Sequence, residues 1–272
     1  MVFELERSQF GRCENVVNPR GQLEVKAIIE GINPGRVFVD NKNRPSSGLV
    51  WLGNHDGFFF FGDEKNGQFI KKIPIFIDRV IAPQAREFGL QWFECFGNHR
   101  GWEKAIENIF AQKELKCWNQ KVFTMSERGG NVLRDVFLPR EFSLFRLSRE
   151  NFSQEISNFL FWAKRICQFW DDPISFFEKG IGYGILKDKE IVGLCFSGFV
   201  SGSTHGIDIE TLPDFQGKKL AQIMAGEFLK ECNIRNFRPY WDCMESNRPS
   251  EAVARKIGLV EAFTYKGYEF SL

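Results

Sequence analysis

One change of hydrophobic period constrains this chain more than any other feature. Gly206-Ile-Asp-Ile-Glu-Thr211 alternates apolar and polar residues, the pattern of a half-buried strand. After the turn residues Leu212-Pro213-Asp214-Phe215, apolar side chains fall at Leu220, Ile223, Met224, Phe228 and Leu229, the spacing of one helix face. Strand, turn and helix follow one another directly. Upstream, Gly182–Lys187 and residues 191–197 flank the polar Asp188-Lys189-Glu190 and read as a hairpin. Downstream, residues 240–244 read as a strand, Asn247 opens a second helix that Gly258 can close, and residues 260–270 read as a last strand. Ahead of the hairpin, Ile156, Phe159, Leu160, Ala163, Ile166 and Cys167 share one face of a helix expected over 155–170. The fold class is α/β (α+β), a mixed twisted sheet flanked by helices.

The first half repeats this order in outline. Gly35-Arg-Val-Phe-Val-Asp40 with Gly48-Leu-Val-Trp-Leu52 matches the hairpin, and Phe58 to Phe61 matches its third strand. Residues 73–88 match the first helix, and Trp92-Phe-Glu-Cys95 with Asn98 matches Trp241-Asp-Cys243 with Asn247. Matched positions lie about 145–149 residues apart. Amphipathic patterns also agree by chance, so the repeat is one of two readings. It predicts domains at 1–125 and 140–272, with a linker over 126–139 marked by Gly129-Gly130-Asn131. The 30 phenylalanines are enough aromatic bulk to fill two cores.

Composition excludes several classes. The formal net charge is +1, so no nucleic-acid partner is indicated. No apolar run reaches the roughly 18 residues of a membrane span, and the acids near Met1 do not suit a signal peptide. The 7 cysteines form no C-x-x-C pair, which suits a reducing, cytoplasmic setting rather than disulfides. His55, His99 and His205 are too scattered to suggest a metal site. A monomer or a homodimer without membrane contact is expected.

The chemistry concentrates in Gln216-Gly217-Lys218-Lys219-Leu220-Ala221, between strand and helix. A helix start leaves N–H groups unpaired, and the helix dipole adds positive potential there. Gly217 allows a tight turn, Ala221 leaves room, and two lysines add charge, so the loop suits a diphosphate. The glycine spacing and lysine-serine ending of a P-loop are missing, as is a dinucleotide fingerprint.

In order, Ile207-Asp-Ile-Glu-Thr211, Pro213-Asp-Phe-Gln-Gly-Lys-Lys-Leu-Ala221, Pro239-Tyr-Trp-Asp-Cys243 and Ser250-Glu-Ala-Val-Ala-Arg-Lys-Ile-Gly258 resemble the GNAT superfamily of N-acyltransferases. The resemblance is closest to the branch of zwittermicin A resistance acetyltransferases and is strong over about 182–268. It implies a tandem chain whose first half is a degenerate copy; Asn66-Gly67-Gln68-Phe69-Ile70-Lys71 lacks the loop pattern, so no cofactor site is expected there. It further implies acetyl-CoA as cosubstrate, no metal, and direct attack of a small-molecule primary amine on the thioester.

By resemblance, Ile209 and Thr211 bind the pantetheine arm through backbone groups. Gln216, Gly217, Lys218, Lys219, Leu220 and Ala221 hold the diphosphate, and Asn247 and Ser250 touch the coenzyme arm. The family loop is (Gln/Arg)-x-x-Gly-x-(Gly/Ala), and Lys219 stands at the central glycine. A lysine in ordinary helical conformation is expected there, its side chain either touching phosphate or obstructing it. The attacking amine must lose a proton, and Glu210, Asp208 and His205 are the candidate bases, Glu210 first. Asp208 and Glu210 share a strand face; His205 falls on the other unless a bulge intervenes. Each carboxylate also reads as a structural acid, His205 as a loop residue and Asn247 as a helix cap. Trp241 and Asp242 are expected beside the acceptor, with Asp242 either binding a cationic acceptor or paired and buried. The family tyrosine, counted from Asn247, falls on Ala254, which leaves Tyr240, Tyr265 or water as general acid. A non-catalytic coenzyme-binding module is the alternative, and an enzyme using RNA-linked acyl donors ranks last for lack of basic charge.

Overall fold

A computed structural model describes residues 1–53, 57–126 and 136–272. His55 and the Gly129-Gly130-Asn131 patch lie outside the described residues. The chain forms two compact units, Met1–Gln120 with Thr264–Leu272, and Lys121–Phe263. The division read from the sequence, 1–125, 126–139 and 140–272, assigns the last residues differently.

The first unit begins with β1 (Phe3–Leu5), α1 (Leu23–Ile29) and the hairpin β2 (Arg36–Val39) and β3 (Ser47–Trp51). Next come β4 (Phe58–Gly62), α2 (Gly67–Phe76), a π-helical turn (Ile77–Ile81) and α3 (Ala82–Glu87). β5 (Trp92–Gly97), α4 (Gly101–Ile109) and β6 (Lys116–Thr124) follow. The helix expected over 73–88 starts earlier, at Gly67, because the Asn66 side chain accepts a hydrogen bond from Phe69 N at 3.2 Å. β6 ends at Thr124, just before the linker read over 126–139. β1 to β4 pair antiparallel in order, and β4 pairs parallel with β5. Every residue of β4 is buried, which accounts for its run of phenylalanines. Phe58 stacks on Phe93 at 4.2 Å and Phe60 on Trp102 at 5.2 Å, while Phe59 stacks on Phe96 at 4.8 Å. Gly48 admits the Phe61 ring, which a Cβ there would meet at 2.4 Å.

In the second unit, β7 (Ser143–Arg146), α5 (Phe159–Cys167) and α6 (Pro173–Lys179) precede the hairpin β8 (Gly182–Lys187) and β9 (Glu190–Ser201). β10 (Thr204–Thr211), α7 (Leu220–Arg235), β11 (Arg238–Met244), α8 (Arg248–Lys256) and β12 (Val260–Ser271) complete the chain. β7 to β10 pair antiparallel in order, and β10 pairs parallel with β11, so the strand directions of the first unit recur. The residues of β6 from Lys121 onward belong to this unit, where Thr124 Oγ1 donates to Pro239 O at 2.9 Å. Residues Gly267–Ser271 of β12 pair antiparallel with β5.

β9 is buried from Ile191 to Ser201, since helices cover both its faces. On one face Leu220, Met224, Phe228 and Leu229 of α7 pack with Ile185, Val192 and Trp241. On the other, Trp162 Nε1 and Trp170 Nε1 donate to Ile191 O and Ser197 O, at 3.0 and 2.8 Å. α5 starts at Phe159 rather than at 155 because Asn158 turns its amide onto the Ile191 backbone, donating at 2.8 Å and accepting at 3.0 Å. Glu231 on α7 binds β7 and β8. It accepts from Arg146 Nε and Nη2 at 2.8 Å each, from Tyr183 Oη at 2.8 Å and from Arg235 at 3.1 Å.

Burial pushes the Glu231 carboxyl up, but the arginine and tyrosine hydrogen bonds outweigh it and hold it at about 2, from an ordinary 4.5. A carboxylate depressed in the folded state contributes stability above its unfolded value and loses it as pH falls toward the folded one. Glu231→Gln should therefore flatten the acid limb of unfolding free energy against pH between about 4.5 and 2. An unchanged slope in urea titrations would remove Glu231 from the acid transition.

Candidate active site

β10 and β11 pair only at Thr204↔Arg238, His205↔Pro239 and Gly206↔Tyr240. Both continue beyond, to Thr211 and Met244, while β10 keeps its pairing with β9 through Thr211↔Gly193. β9 carries an extra residue, Gly198, at the register shift opposite Gly206 and Ile207. One edge of β10 from Ile207 onward is therefore unladdered, and its backbone polar groups need other partners.

The loop after β10 turns through a 3₁₀ segment, Pro213–Phe215, and Gln216 Nε2 ties it back to Thr211 O at 3.1 Å. Gly217 (φ 76°) and Lys219 (φ 63°, ψ 15°) are both left-handed. This corrects the expectation of a helical Lys219. Left-handed backbone crowds Cβ against the next carbonyl and costs a non-glycine residue about 1–2 kcal/mol. No side chain caps the start of α7, whereas Asn247 Oδ1 caps α8 by accepting from Ser250 N at 3.1 Å. Ser250 Oγ in turn accepts from Trp241 Nε1 at 2.9 Å.

These elements enclose a groove of about 730 Å³. It collects Ile209, Glu210, Thr211, Gln216, Gly217, Lys219, Leu220, Ala221, Asn247, Ser250 and Trp241 from the residues singled out by sequence. α8 contributes a further face, Pro249, Val253 and Lys256. The charged lining residues are Glu210 on the strand, Lys219 at the end of the loop before α7 and Lys256 at the end of α8. Thr211 Oγ1 is shut off from solvent with no hydrogen-bond partner among the described residues.

Four residues lie elsewhere. Lys218 Nζ sits 5.0 Å above the Phe215 ring and 5.8 Å above Phe142, outside the groove lining. Asp208 is clamped by Arg165, with Nη2 to Oδ2 at 2.6 Å and Nε to Oδ1 at 3.2 Å. Burial raises the Asp208 carboxyl above its ordinary value against the pull of that arginine. His205 is buried within β10, its Nδ1 2.9 Å from Ser197 Oγ and its ring stacked on Phe237, so it packs rather than lines the groove. Asp242 is not among the lining residues either, since alternation turns it away from Trp241.

Sequence reasoning missed Arg165 and Lys256. Arg165 Nε also stands 3.5 Å from Glu210 Oε2, but it comes from α5, and nothing in local spacing links it to β10. Lys256 was within reach, being one helical face on from Pro249 and Val253. No tyrosine is among the described lining residues, and Ala254 packs in the core. The first unit is built differently at the corresponding place. β4 and β5 stay paired to Phe60↔Gly97, and Asn98 N then donates to Phe60 O at 2.8 Å. Trp102 Nε1 donates to Gly62 O at 3.1 Å, with His99 Nε2 2.8 Å from the same oxygen.

A family model described as GNAT acetyltransferase matches residues 15–268. The chain belongs to the GNAT acetyltransferase family. An uncharacterized N-acetyltransferase of Bacillus subtilis, YdfB, is 25% identical over 245 residues, 90% of this chain and 88% of that one. A GCN5-related N-acetyltransferase-like protein from Streptococcus suis has a similar fold, with a TM-score of 0.70 at 20% identity over 97% of this chain and 98% of that one. A tandem GNAT protein from the clavulanic acid biosynthesis pathway superposes with a TM-score of 0.66 at 10% identity, covering 100% and 98%. The mixed α/β fold agrees with these structural neighbours. Among the described residues, no helix is long and apolar enough to cross a membrane.

Two outcomes follow for the strand beneath the groove. Arg165→Ala leaves Asp208 buried without its counter-charge and should cost of the order of 3 kcal/mol in urea unfolding. Adding Asp208→Asn should restore part of the loss, and a purely additive double variant would refute the pairing. Burial, helped by the nearby Arg235 charge, lowers His205 from 6.5 to about 4. The unfolded chain then binds the proton more readily, so stability should fall as pH drops from 6.5 to 4, by up to about 1.4 kcal/mol per unit. His205→Gln should remove that slope in the same titration.

Proposed function

We propose that the second unit is an acetyl-CoA-dependent N-acetyltransferase acting on a small-molecule primary amine by direct attack on the thioester. One observation carries this reading: a single groove sets one acid, Glu210, on its strand wall against Lys219 of the loop, Lys256 of α8 and the uncapped start of α7. The residues suit the coenzyme. Unladdered β10 backbone and the unpartnered Thr211 Oγ1 offer hydrogen bonds to an amide-bearing arm, and the α7 start offers N–H groups to a diphosphate. The groove volume is that of a small-molecule site.

When bound, acetyl-CoA supplies an activated acyl group. Ile209 and Thr211 hold the arm through the strand edge. Gln216, Gly217, Lys219, Leu220 and Ala221 hold the diphosphate, with Asn247 and Ser250 on the facing wall. A backbone N–H of β10 is placed to polarise the carbonyl as negative charge develops. Glu210 takes the proton that the acceptor ammonium must lose, directly or through water. Arg165 fixes the strand by pairing with Asp208 and provides Glu210 with a counter-charge. With no tyrosine in the described lining, water protonates the departing thiolate, a fair leaving group near neutral pH.

The resemblance read in the sequence to the zwittermicin A resistance branch supports a small amine-bearing compound as acceptor. The first unit reads as a degenerate copy, since its β4 and β5 remain zipped where β10 and β11 part. A cytoplasmic monomer or homodimer fits this reading. The lack of a groove tyrosine favours one second reading, a coenzyme-binding module without turnover.

Thiol release should be followed over a panel of primary amines, together with the melting shift on adding acetyl-CoA. Ligand at about 100 times Kd should add roughly 2.7 kcal/mol of stability. Glu210→Gln should lower turnover about 100-fold or more and leave that shift intact. Unchanged turnover would take Glu210 out of the reaction. A shift without turnover on any amine would favour the non-catalytic module.

A further inference from the structure

A lysine that does not line the groove is built into the support of one of its walls. α8 and its cap contribute Asn247, Pro249, Ser250, Val253 and Lys256 to the groove. This wall joins β11 through residues 245–247, which follow directly on Met244. Lys121, near the end of β6, is not among the described lining residues. Its Nζ lies 3.2 Å from Glu245 Oε1 and 3.5 Å from Glu251 Oε2. The side chain of Lys121 is 11% exposed and that of Glu251 12%, so this pair is largely shielded from water. One ammonium thus bridges the connection before α8 and the first turn of the helix, and Asn247, Pro249 and Ser250 lie between the two bridged carboxylates.

The other partners of Glu251 do not make this link. It accepts from Arg248 Nη1 at 3.1 Å and from Arg255 Nε at 2.9 Å, but both arginines belong to α8, so those pairs move with the helix. Arg255 also reaches Glu261 at 3.0 Å, from the far end of α8. Among the described residues, Lys121 is the one charge on Glu251 that comes from another element.

We propose that Lys121 is a positioning residue for the cosubstrate: by drawing Glu245 and Glu251 to one point it fixes Asn247 and Ser250 opposite the unladdered edge of β10. This rests on the coenzyme reading above and adds a residue that touches no ligand. Trp241 is held in the same wall through its bond to Ser250 Oγ. A shielded ion pair gains little net stability, because each charge gives up water, yet it demands one geometry. Without the ammonium the two carboxylates repel, and the turn between them widens. A displacement of about 1 Å in a wall is enough to spoil contacts that a bound ligand needs.

The test is calorimetric titration of coenzyme A into the natural chain, Lys121→Met, Lys121→Arg, Glu245→Gln and the Lys121→Met, Glu245→Gln double variant, with their melting temperatures. Titrations run well below every melting midpoint, where the folded fraction is near one and lost stability leaves affinity unchanged. Lys121→Met should bind coenzyme A about tenfold more weakly. Lys121→Arg should stay within about threefold of the natural chain, since a guanidinium can also span two carboxylates. Glu245→Gln should weaken binding about threefold, and the double variant should bind no worse than Lys121→Met, as for one shared interaction. Glu245 is 41% exposed, so Glu245→Gln keeps the comparison if Lys121→Met does not fold. Variants that melt lower but bind coenzyme A as tightly as the natural chain would reduce Lys121 to a stabilising contact and overturn the proposal, while the coenzyme reading stood. Additive losses in the double variant would overturn it as well. A natural chain that binds no coenzyme A would overturn both.

Discussion

β10 and β11 share hydrogen bonds only as far as Gly206 and Tyr240, and the groove depends on their parting. A parallel pair that stayed zipped would satisfy its own backbone and leave nothing for a ligand. The extra residue Gly198 in β9 falls beside the point of separation, where a bulge bends and twists its strand. α7 and α8 pack over the parted ends, and Trp241, held by its bond to Ser250, forms part of the wall between them. Every residue assigned to the coenzyme touches this wedge or the loop that follows it.

The acidic face of β10 is held by a different interaction. Arg165 reaches from α5 to Asp208 with two hydrogen bonds and stands near Glu210. The two carboxylates lie two residues apart on one face, where their mutual repulsion would otherwise raise the cost of burying either. One guanidinium therefore settles a division of labour that the strand alone leaves open. Asp208 is paired within the fold, and Glu210 remains in the groove. His205, near the start of the same strand, has gone to packing against Phe237.

The first unit shows what the same order of strands does without the wedge. Its β4 is a run of phenylalanines buried on both faces, and β5 follows it residue for residue to Gly97. Trp102 and His99 meet the Gly62 carbonyl where that strand ends. Its first long helix is closed by the Asn66 side chain, while α7 is left without a cap and carries a left-handed lysine in the loop before it. Capping stabilises a helix start; leaving it open keeps its N–H groups for a ligand.

Much of this was legible in residue order. The switch from period two at 206–211 to helical spacing from Leu220 announces strand, loop and helix, because burial of one face imposes those periods locally. The loop 216–221 and the caps near Asn247 follow from backbone chemistry within a few residues. The helix expected over 155–170 was misjudged at its start because Asn158 is committed to Ile191, a contact made across the sheet. Arg165 could not be found from spacing, as it lies 43 residues from its partner. The conformation of Lys219 was misread because left-handed backbone at a lysine runs against local preference and is set by the packing around the loop. The sequence by itself thus determined the order of the elements and the anion-suited loop, both consequences of short-range periodicity and backbone demand. Only the tertiary structure decided which carboxylate faces the groove, which lysines line it and where two strands part, because those depend on contacts between segments far apart in the chain.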